Sequence, residues 1–251
     1  MCVAAIAWAA HPRWRMVAIG NRDEYHLRPA APLARWDSGL IAGRDLEAGG
    51  TWLGVSAGRF GLVTNLRVPG YPQPGMASRG ALVTDWLEGK DPAGIEGMNP
   101  FNLWLAGPGG LSFLGNYPER QAMPLGPGIH GLSNGAHGDR WFKTARLEQA
   151  LADWLEGDAP SDALFAALRD PTPESLDPED AFSSVFIVNP TYGTRCSTVV
   201  MVDAEGDGRI TERSFDPGGW ETGDVARDFV WPVCDPPPLG EVGRRRRGGG
   251  G

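Results

Sequence analysis

Short apolar runs that meet across glycine-bearing turns constrain the fold of this 251-residue sequence more than any other feature. TWLGVS and FGLVTN are joined by Ala57-Gly58-Arg59, and NLWLAG and LSFLGN by Pro108-Gly109-Gly110. STVVMVD leads into RITERSF through a turn at Glu205-Gly206-Asp207-Gly208. Glycine supplies the positive φ that a tight hairpin connection demands, so each unit reads as two antiparallel strands. MCVAAIAW, with Val3, Ile6 and Trp8 among small residues, reads as a buried strand. Trp14–Ile19 reads as a second strand ending in a polar turn, and SSVFIVN as a late one. The 36 Gly and 22 Pro favour many short strands over long helices, in line with these hairpins.

Helical spacing appears in three segments. DRWFKTARLEQALADWLEG places Leu147, Leu151, Trp154 and Leu155 on one face, with Asp139 as N-cap and Gly157 as terminator. SDALFAALRD follows, with Ser161 as its cap and Pro171 beyond its end. SRGALVTDWLEG closes on Gly89. Strands, then helices, then strands again predict an α+β fold with helices on the outer faces of antiparallel sheets. Residues 1–235 are expected to form one domain. The Pro/Arg/Gly-rich residues 236–251 are expected to form a disordered tail.

A formal net charge of -8 argues against nucleic acid as a partner, since its phosphates would be repelled. The apolar opening is about ten residues long, too short for a membrane helix of about 20. No basic segment precedes it, so neither a signal peptide nor membrane insertion is expected. Cys2, Cys196 and Cys234 cannot all pair and form no CxxC, which points to a reducing, cytoplasmic setting. His11, His26, His130 and His137 lack metal-ligand spacing, and there is no phosphate-binding glycine loop. Neither a metal nor a cofactor is expected, and the oligomeric state stays open.

Cys2 sits directly behind Met1 and is small enough for the initiator to be removed. A mature chain would then carry a thiol, titrating near ~8.5, and an α-amine, near ~7.7–8.0, on one residue. That pairs a nucleophile with its own base. Taken alone, Cys2 is equally well read as a small apolar residue in a buried strand. In IGNRDEYHLRP, an arginine beside Cys2 would favour the thiolate and a carboxylate would hold the ammonium form of the amine. The same cluster also reads as a solvated turn with a surface ion pair.

MC at the start, NRDE at 21–24, GGTWLG at 49–54, TN at 64–65 and SRG at 78–80 occur in one order. In that order the chain resembles the NRDE family, the transport and Golgi organisation protein 2-like proteins. More distantly, it resembles N-terminal-nucleophile hydrolases of the choloylglycine hydrolase and penicillin V acylase type. The second resemblance implies a four-layer αββα sandwich in which Cys2 attacks an acyl carbon. On GRFGLVTNL, GIHGLSNG and YGTRCSTVV it implies Asn65 near the oxyanion, Asn134 as an oxyanion donor, and Arg195 beside Arg22 and Asp23. One departure stands out. Spacers separate Arg and Asp in those hydrolases, whereas Arg22 and Asp23 are adjacent here, and neighbours on a strand face opposite sides. The implied activity is hydrolysis of a non-peptide amide, ester or thioester of a small-molecule acyl substrate through an acyl-enzyme. The NRDE resemblance implies an alternative, a non-catalytic haem or acyl-CoA/lipid binding and trafficking protein on the same scaffold.

Overall fold

The computed structural model describes residues 2–157, 159–177, 180 and 182–232. The expected tail and Cys234 lie outside them. Chain order begins with β1 (Val3–His11), β2 (Trp14–Tyr25), β3 (Ala30–Arg35) and β4 (Ile41–Asp45). A hairpin of β5 (Leu53–Ser56) and β6 (Arg59–Asn65) then leads to α1 (Gly80–Leu87). Next come β7 (Phe101–Gly107), β8 (Gly110–Gly115), β9 (Gln121–Leu125) and β10 (Gly128–Leu132). The helices α2 (Phe142–Glu156) and α3 (Asp162–Leu168) precede β11 (Tyr192–Asp203), β12 (Asp207–Phe215) and β13 (Glu221–Val230).

These strands form two antiparallel sheets. One has six strands in the order β10-β1-β2-β11-β12-β13, the other seven in the sequential order β3 to β9. Period-2 alternation gives each sheet two apolar faces and three cores result. Ala4, Ile6, Met16 and Val200 of the first sheet meet Ile41, Phe60, Leu62 and Trp104 of the second between the sheets. Val3, Ala5, Val17 and Ile19 point the other way, onto Leu147, Leu151, Leu164 and Leu168 of α2 and α3. Leu82, Val83 and Leu87 of α1 cover Val63, Leu103 and Leu105 on the outside of the second sheet. Helices on the outer faces of antiparallel sheets make this an α+β sandwich. Among the described residues, no helix is long and apolar enough to cross a membrane.

The structure corrects several local readings. β2 does not end at Ile19 in a turn; it runs through NRDE to Tyr25, because β11 pairs with it along that whole length. SSVFIVN is not a strand. Both edges of β2 are already taken, by β1 and β11, and Val185, Phe186 and Ile187 are buried as irregular chain. Its backbone bonds go elsewhere: the Phe186 N–H donates to the Asp170 carbonyl, and Ile187 accepts from the Thr194 N–H. Asp139 does not cap α2, which begins three residues later. Its carboxylate accepts from the Ala136 N–H and closes a turn. Ser161 precedes α3 as expected but makes no side-chain cap bond.

Candidate functional site

The candidate site forms where β1, β2 and β11 reach the same end of the six-stranded sheet. Val3 stands opposite Asn21, so Cys2 continues the register to Arg22. On the other side of β2, Arg22 pairs with Cys196, which pairs with Ser214 of β12, which pairs with Gly223 of β13. A row of five residues thus crosses five strands, and all five line one cavity of about 880 Å³. Strands lie ~4.8 Å apart, which sets Cys2 and Cys196 about 10 Å from each other with Arg22 between them. That separation is too wide for a disulfide. Both cysteines are buried and unpaired.

Alternation decides what each NRDE residue touches. Cys2 and Ala4 pack into the core between the sheets, whereas Val3 and Ala5 pack under the helices. Arg22 therefore shares the face of the Cys2 thiol, while Asn21 and Asp23 face the helices. Asn21 donates to the carbonyls of Leu168 and Val185 at 2.8 and 2.9 Å and accepts from the Ser197 hydroxyl at 2.6 Å. Asp23 Oδ1 accepts from the Thr194 hydroxyl at 2.7 Å. Arg22 reaches across to the second sheet, with its guanidinium 3.5 Å from Asp45 and 3.6 Å from Glu24. Arg28 completes that cluster at 2.7 Å from Asp45.

Arg195 owes its place to a β-bulge. Thr194 pairs with Asp23 and Cys196 with Arg22, which leaves Arg195 as the extra residue. Without the bulge, Thr194 and Cys196 would share a face. With it, Thr194 serves Asp23 under the helices and Cys196 turns into the cavity. Arg195 Nη1 donates to the carbonyls of Tyr25, His26 and Arg28, each at 3.1 Å, and so clamps the chain leaving β2.

Asn65, at the end of β6, is exposed on the cavity wall. Asn134 stands behind it, buried and away from that wall. Its Nδ2 donates to the Asn65 carbonyl at 2.7 Å, and its own carbonyl accepts from the Arg67 N–H at 2.7 Å. Ser133 ties the same segment to the start of the chain by donating to the Cys2 carbonyl at 2.9 Å. The two asparagines are thus brought together, one facing the cavity and one bracing it. Cys2, Arg22 and Asp23 form a second group around the thiol.

Burial pushes the Cys2 thiol up, against a hydrogen bond from the Asp23 backbone and the Arg22 charge, both of which favour the thiolate. Burial likewise raises the Asp23 carboxyl, opposed by the positive charge of Lys143 and the Thr194 bond. Sequence reasoning did not single out Lys143 or Arg79. Arg79, from the SRG segment, lines the cavity and donates to the Pro100 carbonyl at 3.2 Å. Lys143 is 0 % exposed. A signal for it was present, since it lies one turn before Leu147 on the apolar face of α2.

Over residues 1–217 the sequence matches the Transport and Golgi organisation 2 family. The chain belongs to this family. It is 32% identical over 272 residues to the Transport and Golgi organization protein 2 homolog of Bos taurus, covering 88% of this chain and 97% of the relative. The Homo sapiens homolog is 31% identical over 272 residues and the Mus musculus homolog 31% over 268, with the same coverage. Residues 1–217 include every segment that builds the cavity floor except the Gly223 strand, so the site lies almost wholly within what defines the family.

Proposed function

We propose that this protein is a hydrolase with Cys2 as an N-terminal nucleophile, acting on a non-peptide amide, ester or thioester of an acyl compound. The observation that carries the reading is the Cys2 thiol on the floor of a cavity of about 880 Å³, flanked by Arg22 and hydrogen-bonded to the Asp23 backbone. Removal of Met1 would free the Cys2 amine to take the thiol proton as the sulfur attacks the acyl carbon. Asn65, exposed on the cavity wall, would be the donor to the oxyanion, with Asn134 holding its backbone from behind. The amine then returns the proton to the leaving amine, alcohol or thiol, and water releases the acyl group from sulfur. Arg22 and Asp23 set the charge around the nucleophile, and Arg195 shapes the wall. The α+β sandwich, with helices outside two antiparallel sheets, supports the reading, since a layered arrangement is what the resemblance to N-terminal-nucleophile hydrolases implies.

The test pairs intact mass with turnover on a panel of acyl amides, esters and thioesters. Loss of Met1 and turnover that disappears in Cys2→Ala are expected. Hydrolysis retained by Cys2→Ala would sink the reading. Saturable haem or acyl-CoA binding without turnover would replace it with a carrier on the same scaffold.

A further inference from the structure

On the core-facing side of α2, Lys143 occupies a position where the helix otherwise places Leu147, Leu151 and Leu155. The side chain is 0 % exposed, and Nζ has no hydrogen-bond partner among the described residues. Taking an ammonium out of water is costly unless nearby charge repays it. A leucine or methionine would fill the same volume at no such cost. A local rule broken at a core position, with no packing gain, marks a group kept for its charge.

Lys143 lies on the buried face of α2 and Asp23 on the helix-facing side of β2, so the two charges share the space between helix and sheet. The groups whose fields reach Lys143 are Asp23 from β2, Cys2 from the start of the chain and Arg67 from the segment after β6. Asp23 and Cys2 are both candidate site residues at the same end of the sheet. Arg67, Arg140, Glu174 and Asp180 lie around a smaller cavity of about 360 Å³ that Lys143 also lines. Of these, Arg140 is paired with Glu148 at 2.9 Å. Burial lowers the lysine's affinity for its proton, and Asp23 and Cys2 act to restore it.

We infer that Lys143 is a positioning residue for Cys2, the buried counter-charge that acts from beneath the sheet, through Asp23, on the thiol and amine of the nucleophile. A cation there favours Asp23 as carboxylate, Cys2 as thiolate and a Cys2 α-amine as the neutral base. A thiol that gives up its proton readily and a neutral amine that can take it are what the attack requires. Without Lys143, Asp23 would instead draw its positive charge from the α-amine and leave it protonated. The role deepens the hydrolase reading, but its first part, favouring the thiolate, holds whether or not an acyl compound is turned over.

The experiment is the pH dependence of Cys2 alkylation by iodoacetamide in the full chain, followed by peptide mass after digestion. In Lys143→Met the apparent thiol pKa should rise, with an unchanged plateau at high pH. A thiol made tenfold weaker as an acid labels about tenfold more slowly at neutral pH. Lys143→Arg should restore much of the wild-type profile, which a purely structural role would not predict. If Lys143→Met does not fold, the comparison moves to wild type against Lys143→Gln, which carries no charge and can hydrogen-bond to Asp23. Superimposable profiles in whichever folded pair is measured would overturn the inference. Because labelling needs no substrate, that failure is separate from an absence of hydrolysis.

Discussion

Glu212 offers the sharpest test of how the cavity is held together. It lies on β12 opposite Thr198, is 4 % exposed, and accepts at 2.7 Å from the N–H of Leu33, itself 2 % exposed. That N–H is available because β3 is irregular between Ala31 and Ala34, so Leu33 does not bond to β4 there. Glu212 thus ties the first strand of one sheet to a strand of the other. Burial raises its carboxyl, and the Leu33 and Cys196 bonds only partly offset this. A carboxyl whose folded pKa is raised contributes stability that is fully present below its unfolded pKa. That contribution is lost as pH climbs through the folded value. Glu212→Gln keeps the acceptor for Leu33 and carries no charge. It should match wild type near pH 4 and exceed it at pH 8, by ~1.4 kcal/mol for every tenfold by which folding weakens the acid. Some pH dependence should remain in the variant, since burial raises Asp23 as well. Glu212→Leu removes the acceptor and strands a buried N–H, costing about 1–3 kcal/mol relative to Glu212→Gln at every pH. Urea unfolding at pH 4, 6 and 8 measures all three proteins. A Gln variant less stable than wild type at pH 8 would show that Glu212 works as a paired carboxylate, and the reasoning would fail.

Two further substitutions probe the frame around the site. Arg195→Met should free the carbonyls of Tyr25, His26 and Arg28, costing about 1–3 kcal/mol and speeding amide exchange at residues 25–29. An unchanged exchange rate there would deny the clamp. In Gly131→Ala the new methyl would run into Thr144 and Glu148 on α2, where β10 passes under the helix. Overpacking of that kind costs about 1–3 kcal/mol, and thermal melting should register it at ~2–4 °C per kcal/mol.

Much of the fold was legible because hairpins are local. Gly58 has φ +72° and Gly206 φ +94°, the conformations their turns require, and both lie where glycine punctuates alternating apolar runs. The helices were legible from their apolar faces and the start of α3 from Ser161, whereas the start of α2 was not, because an aspartate can close a turn as readily as cap a helix. Asp139 does the former. SSVFIVN misled for a related reason: an apolar run records burial, and buried chain need not be strand. The sheet it would have joined had no open edge beside β2.

The site separates into what alternation dictates and what it cannot. Period 2 alone puts Arg22 on the thiol side and Asp23 on the other, so the adjacency of the two is not a defect of the motif. It lets one sheet end approach Cys2 from both faces, Arg22 from the cavity and Asp23 from beneath. What the sequence could not reveal is the bulge at Arg195, because register between distant strands leaves no local trace. Yet that single extra residue sends Thr194 to Asp23 and Cys196 to the cavity. A deletion that removed the bulge would leave the composition of the site nearly intact and still dismantle it. The chemistry of this end of the sheet therefore depends on register as much as on residue type.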